Sequence, residues 1–243
     1  SPTKYTHCEI HNSLVLGMMT NLGIFPENNP ATRNLFSCGQ SKQASSVYHT
    51  NYQVRMDKTS VVLNSGQIPL VKSRFFETIT QNENVYGENA MVAIACYTGY
   101  NVEDAMLLNE GALKRGLFRT SYCTCYESHE ESDKTGDIIV EKKFMNIYDN
   151  PQVIGKKPGF DYSKLDEHGI IREGTLVDDK TVLIGLVTST IAAPDSGIVQ
   201  ESVYKDASKT PKKGQLGIVD RVFITDDEEG RRIAKVRILE QRI

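Results

Sequence analysis

The stretch LGIVDRVFITDDEEGRRIAKVRI, from Leu216 to Ile238, decides the fold class of this chain. Two runs rich in β-branched and aromatic residues, GIVDRVFIT and IAKVRI, flank the polar segment DDEEGRR. Such runs favour strands, and a polar, glycine-containing segment between them is typical of a hairpin turn. We therefore predict an antiparallel hairpin whose turn spans Asp226 to Arg232.

The segments that precede this hairpin have the same character. GIIREGTLV, KTVLIGLVT and SGIVQESVY are short, β-prone and separated by Gly, Asp or Pro. Repeated short strands with turn residues between them indicate a small antiparallel sheet or barrel. The stretch RTSYCTCYESHEESDKTGD is instead polar and turn-rich, and the change of character near Phe118 predicts a boundary between two regions.

The first third of the chain predicts short helices, a loop and one strand. HNSLVLGMM is expected to form a short helix capped by Asn12 or Ser13, and the Asn- and Pro-rich residues 21–34 an ordered loop rather than a helix. Val92 to Cys96 predicts a buried strand. NVEDAMLLNEGALKRG then predicts a helix, and its cap, apolar face and stop signal are Asn101, then Ala105, Leu108 and Ala112, then Gly116.

The bulk composition excludes several classes of function. Of the 243 residues, 39% are hydrophobic and 24% are charged, and the formal net charge is −3. That charge argues against nucleic-acid binding driven by overall basicity, but it permits a local basic face. The sequence contains neither an apolar run near the ~18 residues of a membrane span nor a secretory signal pattern. Five irregularly spaced cysteines indicate a reducing compartment.

Two adjacent carboxylates, Glu103 and Asp104, follow a Gly-Tyr-Asn turn. One interpretation is an acidic helix N-terminus, which the helix dipole stabilises by roughly 0.3–1 kcal/mol per group. The other is a Mg²⁺ or metal–phosphate site, because hard oxygen ligands suit Mg²⁺ and substrate phosphates can complete the ligand set. The local sequence leaves both interpretations open.

Three further polar residues are candidates for contacts with phosphate groups. Arg33, in NNPATRN, carries a planar fork that suits bidentate phosphate recognition if its neighbours hold it rigidly. Lys42 and Gln43, in GQSKQ, are candidates for contacts with a sugar–phosphate backbone. For all three residues, the alternative is a solvated surface side chain.

The sequence also bears on metal-dependent and phosphate-loop enzymes. Two clusters contain His and Cys together: His7, Cys8 and His11, and Cys123, Cys125 and His129. Their spacing differs from that of zinc-binding pairs, so we expect no zinc and interpret the first two histidines as packing or hydrogen-bonding groups. We expect the thiol pair to be inert. Glycine-rich phosphate loops, nucleophile elbows and H-E-x-x-H motifs are absent from the sequence, which argues against a self-contained kinase, hydrolase or zinc protease.

Several motifs in a fixed order are more specific than any one of them. They are THCEIHNSLVLG, FPENNPATRNLFSCGQSKQA, TNYQVRMD, ENAMVAIACYTGYNVEDAMLLNEGALKRGLFR, YSKLDEHGIIREGTLV and GIVDRVFITDDEEGRRIAKVRI. Together they resemble the second-largest, β-type subunit of multisubunit DNA-dependent RNA polymerases, in the eukaryotic, archaeal and large-DNA-virus branch. Because the last strand runs to the end of the sequence, we expect a fragment of such a subunit. In the family, active-site lysines follow in a Gly-Asp-Lys-Phe motif.

The resemblance implies a mixed α+β fold in three parts. Residues 1–118 resemble the first part of the hybrid-binding region, with β-strands and short helices. Residues 119–231 resemble the mostly β wall or flap module, and residues 232–243 resemble a strand that returns to the hybrid-binding region.

The resemblance also implies a nucleotidyltransferase, a DNA-directed RNA polymerase that is active only in its assembly. Arg33 matches an arginine that reaches the triphosphate, and Lys42 and Gln43 match positions along the RNA strand of the hybrid. Glu103 and Asp104 match carboxylates near the second Mg²⁺, where they act indirectly or through water. The Mg²⁺ is shared with the largest subunit and the incoming nucleoside triphosphate.

The implied partners are the largest subunit, small assembly subunits, the DNA template, the RNA–DNA hybrid and nucleoside triphosphates, without a membrane. The implied location is the nucleus, or the virion or host cytoplasm for a large DNA virus, and not the secretory route. The family has Ser-Pro-Arg-Asn where this chain has Ala31-Thr32-Arg33-Asn34, and a tyrosine near Phe36. These departures keep the charged groups and indicate a divergent lineage.

Two alternative functions are also compatible with the sequence. One is a non-catalytic scaffold or split-subunit module, which has no need of Arg33, Glu103 and Asp104 together. The other is a stand-alone metal-dependent phosphoesterase, which normally assembles further carboxylates and histidines from one chain.

Overall fold

The computed structural model describes residues 2–192 and 203–243. Most of the predicted strand segment SGIVQESVY lies outside the described residues. Within the described ranges, none of the helices is long and apolar enough to cross a bilayer.

The chain divides into two compact units. The first unit comprises residues 1–55, 61–120 and 242–243, and the second comprises residues 56–60 and 121–241. Their assignment to a hybrid-binding region and a wall module stays a prediction.

The first unit consists mainly of short helices, turns and extended segments. Its α-helices are α1 (Met18–Asn21), α2 (Ala31–Ser41), α3 (Phe76–Thr80) and α4 (Glu110–Lys114), and its 3₁₀ turns are Asn12–Val15, Pro26–Asn28 and Tyr52–Val54. Strand β1 (Thr59–Leu63) follows the last of these turns. The predicted helix in HNSLVLGMM is therefore a 3₁₀ turn followed by α1. Its cap is neither Asn12 nor Ser13, because the ring nitrogen Nδ1 of His11 accepts the bond from the Ser13 N–H.

Two predictions for this unit were wrong, one in its boundary and one altogether. The loop predicted over residues 21–34 ends early, because α2 begins at Ala31, directly after Pro30. Proline is compatible with a helix start, since it lacks an N–H that the first turn does not use. Val92 to Cys96 is not a strand, and both the preceding Met91 and Ile94 within this stretch are fully exposed, at 102% and 101%.

The helix predicted from Asn101 was also wrong over its first half. Only Glu110–Lys114 is helical, and Asn109 is the cap, with its side-chain oxygen accepting from the Ala112 N–H. Glu103 has a φ of 56°, a left-handed conformation that interrupts a right-handed helix. Gly116 follows the helix with a φ of 109°, as expected of a stop signal.

The second unit consists mainly of β-strands. They are β2 (Thr120–His129), β3 (Glu131–Thr135), β4 (Ile138–Phe144), β5 (Val153–Ile154), β6 (Leu176–Val177), β7 (Leu186–Ala192), β8 (Tyr204–Asp206), β9 (Gly217–Asp226) and β10 (Arg232–Arg242). One five-stranded sheet has the order β1-β2-β10-β9-β6, and the other the order β3-β4-β7-β8-β5. The mixed α+β class is confirmed. The stretch predicted to be turn-rich instead forms β2 and β3, because Thr124 and Tyr126 alternate into the core.

The predicted hairpin is confirmed. β9 and β10 pair antiparallel from Asp226 and Arg232 onward. The carboxylate of Asp227 closes the turn, since its Oδ1 accepts bonds from the N–H groups of Glu229 and Arg231 at 2.9 and 2.8 Å.

The hydrophobic core lies in the second unit. Its fully buried side chains come from strands, from the run KTVLIGLVT and from the loops between strands, and they include Ile147, Ile170, Val182, Leu183, Ile184, Val236 and Ile238. Each such side chain contributes about 1.5–3 kcal/mol relative to an exposed one. This core therefore accounts for most of the apolar burial in the described residues.

Three backbone segments meet in that core at Gly185. The Gly185 N–H donates to the Gly169 carbonyl at 2.6 Å, and the Gly185 carbonyl accepts from the Met145 N–H at 3.1 Å. A Cβ atom at Gly185 would lie 2.3 Å from the Met145 carbonyl oxygen. Only glycine fits at this crossing, because the obstructing atom belongs to the backbone.

We predict that Gly185→Ala lowers the free energy of unfolding by about 1–3 kcal/mol, since overpacking must displace the backbone at Met145. Thermal and urea unfolding followed by circular dichroism measures the change. Gly39→Ala is the control: the site lies in α2 with open space around its Cα, so alanine should be neutral or slightly stabilising. Equal stability of the two variants would contradict the close approach.

Candidate functional site

Arg33 lies in the first turn of α2 with its side chain exposed. Its guanidinium carbon lies 5.5 Å from the centroid of the Phe36 ring, one turn along the helix. A cation–π contact of this kind is worth about 0.5–1 kcal/mol at an exposed site. Among the described residues, Arg33 has no carboxylate partner, so its fork is supported by an aromatic ring and open to an anion.

The chain before α2 is held by a neighbour of Arg33. The Asn34 side-chain nitrogen donates to the Pro26 carbonyl at 2.7 Å, and the N–H groups of Arg33 and Asn34 both donate to the Pro30 carbonyl. These bonds tie the 3₁₀ turn Pro26–Asn28 to the first turn of the helix. The rigid setting that Arg33 needs for bidentate recognition is therefore built from local hydrogen bonds.

Lys42 and Gln43 lie at the other end of α2. The Lys42 N–H donates to the Cys38 carbonyl, and the Gln43 N–H to the Gln40 carbonyl. Both side chains are exposed, and a cation at a helix C-terminus is favoured by the helix dipole. Arg33 and Lys42 are nine positions apart, which corresponds to about 14 Å along the axis and about half a turn around it. The helix therefore presents its two cations at opposite ends and on different sides.

A side-chain amide shapes the loop that precedes the carboxylate pair. The Asn101 nitrogen Nδ2 donates to the Ala95 carbonyl at 2.6 Å, and its oxygen Oδ1 accepts from the Tyr97 N–H at 2.9 Å. Thr98 and Gly99 both have positive φ angles, of 55° and 75°, and form the bend between these points. Asn101 therefore holds the loop closed instead of capping a helix.

Glu103 and Asp104 lie in the turn after this loop, which the Ala105 N–H closes by donating to the Val102 carbonyl at 3.2 Å. Both carboxylates are exposed, and neither has an ion-pair partner among the described residues. The interpretation of the pair as an acidic helix N-terminus is wrong, since α4 begins only at Glu110. The alternative interpretation as a metal or metal–phosphate site remains.

The predicted site residues all belong to the first unit, on two separately built elements. Arg33, Lys42 and Gln43 belong to α2 and its C-terminus, whereas Glu103 and Asp104 belong to the turn that follows Asn101. Across residues 2–192 and 203–243, no three His, Cys, Asp or Glu side chains come together as a metal site. The two carboxylates are hard oxygen donors that suit Mg²⁺, with the remaining ligands supplied from outside this segment.

The His and Cys clusters make ordinary structural contacts. His11 bonds the Ser13 N–H and packs edge-on against Phe75 at 5.5 Å, as expected of a packing and hydrogen-bonding group. Burial raises the pKa of the Cys123 and Cys125 thiols, against the smaller opposing effect of nearby Arg237 and Lys235. A raised pKa keeps a thiol protonated and unreactive, in agreement with the inert pair we expected.

Sequence reasoning missed the asparagines that hold this unit. Asn89 bonds Gln67 through both its N–H and its side chain, and its Oδ1 accepts from the Leu70 N–H at 3.1 Å. The side-chain nitrogen of Asn21 likewise donates to two backbone groups, the carbonyls of Ser13 and Leu16. The available signal was the occurrence of Asn in segments without a periodic apolar pattern, where its amide commonly bonds nearby backbone.

The fold and the candidate site define a β-rich segment on which an arginine, a lysine and two adjacent carboxylates are exposed rather than enclosed. The family described as RNA polymerase Rpb2, domain 6, matches residues 19–243. The chain belongs to this family of second-largest RNA polymerase subunits.

The relatives are RNA polymerase subunits from eukaryotes and archaea. The chain is 37% identical over 242 residues to the DNA-directed RNA polymerase II subunit RPB2 of Encephalitozoon cuniculi, covering 99% of this chain and 21% of that protein. It is 37% identical over 240 residues to DNA-directed RNA polymerase II subunit 2 of Arabidopsis thaliana, covering 99% and 20%. It is 33% identical over 240 residues to subunit Rpo2 of Sulfolobus acidocaldarius, covering 98% and 21%. The chain thus spans about a fifth of the length of these relatives.

We predict that Asn101→Ala opens the loop that carries the carboxylate pair. The Tyr97 N–H loses its acceptor, so its hydrogen exchange should accelerate, while exchange at Ala112 stays unchanged. Asn109→Ala should have the reverse effect, because the Asn109 side chain accepts from the Ala112 N–H and not from the Tyr97 N–H. Hydrogen exchange resolved by mass spectrometry or NMR checks both. Identical exchange patterns in the two variants would contradict these separate roles.

Proposed function

We propose that this chain is the part of an RNA polymerase second-largest subunit that contributes to the active centre and contacts the RNA–DNA hybrid. The observation that carries the proposal is the combination of Arg33 and the Glu103–Asp104 pair, which are exposed, lack ion-pair partners among the described residues and sit on locally fixed backbone. Charged groups that are held on fixed backbone without an internal partner are available to meet a ligand.

Arg33 is proposed to contact the triphosphate of the incoming nucleotide. Its guanidinium presents several N–H donors in one plane, which match the oxygens of a phosphate group. The Phe36 contact and the Asn34 bond reduce the freedom that the side chain and helix would lose on binding. In this role Arg33 offsets the negative charge that accumulates on the leaving pyrophosphate.

Glu103 and Asp104 are proposed to act near the Mg²⁺ that accompanies the nucleotide. Their donor chemistry suits Mg²⁺, and their exposure lets a water molecule lie between a carboxylate and the ion. When bound, Mg²⁺ would stabilise negative charge on the phosphate oxygens. The carboxylates themselves orient water and the ion's outer ligands, and the Asn101 bonds fix their position.

Lys42 and Gln43 are proposed to lie along the RNA strand of the hybrid. A lysine and an amide contact phosphate and sugar oxygens irrespective of sequence, as a polymerase that copies any template requires. Because only these local groups face the nucleic acid, a chain with net charge −3 is compatible with the role.

The proposed partners are the largest subunit, small assembly subunits, template DNA, the hybrid and nucleoside triphosphates. The apolar side chains that the first unit exposes, among them Leu70, Met91, Ile94 and Met106, support burial by other polypeptide in an assembly. The same exposure favours a second candidate, a scaffold without a catalytic role. The proposed location is the nucleus, or the virion or host cytoplasm for a large DNA virus.

The test is single-nucleotide addition by the assembled polymerase that contains the full-length subunit. We predict that Arg33→Ala or Asp104→Ala lowers kcat/KM for the nucleoside triphosphate by about 10- to 100-fold, the equivalent of a hydrogen bond to a charged group at about 1.5–3 kcal/mol. Arg33→Lys should retain part of the rate, because lysine keeps the positive charge. It should not restore the full rate, because lysine lacks the planar guanidinium fork.

Glu110→Ala is the matched control for the carboxylate variant. Glu110 is an exposed acid on the same segment whose partner is Lys114 at 2.6 Å, so its removal should leave the rate unchanged. Normal nucleotide addition by both Arg33→Ala and Asp104→Ala would contradict the proposal. A reduced yield of assembled enzyme with a normal rate per complex would support the scaffold instead.

A further inference from the structure

Two neighbouring segments of the second unit bring four lysines together. Strands β5 and β8 pair in parallel up to Lys205, and Lys156 and Lys157 follow shortly after β5. A Cβ atom built on Gly155 would lie 3.8 Å from Cγ of Lys205, so the Lys205 side chain passes close to this segment. The Lys157 ammonium in turn reaches the Ser208 carbonyl at 3.5 Å. The two segments therefore share one surface.

The chain stays extended beyond β8, and an antiparallel bridge to the run before β7 carries the pairing on to Lys209. Burial alternates along this stretch, since Lys205, Ala207 and Lys209 are exposed whereas Asp206 and Ser208 are not. At about 3.3 Å per residue, Lys205 and Lys209 are about 13 Å apart along the strand. Two cations thus face solvent in a line, and the intervening carboxylate does not.

The positive charges of this surface are not neutralised by the carboxylates of the described residues. The lysine cluster without an ion-pair partner there consists of Lys156, Lys157, Lys205 and Lys209. Lys156 and Lys157 donate only to neutral oxygens, at 3.3 and 3.5 Å. Asp206 is engaged on both oxygens, which accept from the Tyr162 hydroxyl and the Ser208 N–H.

Other lysines of the second unit differ in this respect. Lys142 and Lys143 of β4 and Lys235 of β10 each lie within 3.5 Å of a glutamate oxygen. Residues 155–159 and 205–209 together contain four lysines and one aspartate, although the whole chain has a net charge of −3. The cluster is therefore a local basic face on a slightly acidic chain, and it repels itself unless an anion is bound.

The composition of this face favours a nucleic-acid strand over a protein partner. Within residues 155–159 and 205–209, the other exposed residues are compact: Gly155, Pro158, Gly159 and Ala207. Protein interfaces are usually anchored by large aromatic side chains or arginine, which these residues do not supply. Binding to a sugar–phosphate backbone depends instead on lysine charge and on the release of counterions.

We propose that the lysine cluster binds the sugar–phosphate backbone of a nucleic-acid strand, irrespective of its sequence. Exposed ammonium groups contact phosphate oxygens as point charges and read no base edges. This contact is additional to the one proposed for Lys42 and Gln43. The inference rests on the proposed place of the chain in an RNA polymerase, but it requires none of the active-centre residues.

The first test places the photo-crosslinking amino acid p-azidophenylalanine at position 207 of the full-length subunit in its transcribing polymerase. Ala207 is exposed between Lys205 and Lys209, so the substitution leaves all four lysines in place. Separate samples carry the label on the RNA, the template DNA or the non-template DNA, and we expect a crosslink to at least one of these strands. The strand that carries the crosslink identifies the source of the phosphates.

The matched control places the same crosslinker at position 143. Lys143 is 58% exposed but pairs with Glu141, and it lies in the cross-strand row of Asp206, on the face opposite to Lys205. Position 143 should give no nucleic-acid crosslink. Crosslinks from position 207 only to polypeptide, whether of this subunit or another, or to nothing would overturn the proposal.

A second test measures binding of the same polymerase to a labelled nucleic-acid scaffold over a range of KCl concentrations. Lys205→Gln combined with Lys209→Gln should reduce the slope of log K against log[KCl] by about 1.5, since each lost phosphate contact removes about 0.7–0.9. Lys143→Gln should leave the slope unchanged, and an unchanged slope in the double variant would contradict the proposal. The two proposals fail separately, because a normal rate of nucleotide addition by Arg33→Ala would leave both the crosslink and the slope as predicted here.

Discussion

The antiparallel pairing of β9 with β10 is the constraint on which the second unit depends. Both strands lie in the interior of their sheet. Their register shifts between Arg237 and Ile238, where Asp220 is the additional residue of β9. The Arg237 guanidinium is buried and donates to Asp220 at 2.8 Å through Nε. An unpaired charge would be costly there, so the ion pair holds the bulge in one register. That register turns Val219 and Ile238 into the core and leaves Ile218 and Leu239 on the opposite face.

The elements that the sequence predicted correctly are those determined by local chemistry. The hairpin follows from two β-prone runs and from Asp227, whose carboxylate closes the turn through bonds within four residues. The helix predicted from Asn101 failed because an asparagine amide can cap a helix or bond a loop, and the local sequence does not distinguish the two. The polar stretch that became β2 shows the converse: alternating burial of Thr124 and Tyr126 outweighs a composition typical of turns.

The first unit is held by a different kind of interaction. Asparagine side chains at positions 21, 34, 89 and 101 bond backbone groups that lie from 6 to 21 positions away in sequence, while few of its large apolar residues are buried. This arrangement fixes Arg33 and the turn of Glu103 and Asp104 without a large core of its own. The motifs predicted these three residues, but the sequence could not predict their setting. It depends on hydrogen bonds between positions that no periodic pattern marks.

We propose that α2 and the turn of Glu103 and Asp104 lie at the metal of an assembled polymerase. The most direct measurement replaces Mg²⁺ with Fe²⁺ in the enzyme that contains the full-length subunit, and maps hydroxyl-radical cleavage of that subunit. We expect cleavage around positions 102–105 and around Arg33, and we expect excess Mg²⁺ to suppress this cleavage. Cleavage of other segments that leaves both of these intact would contradict it.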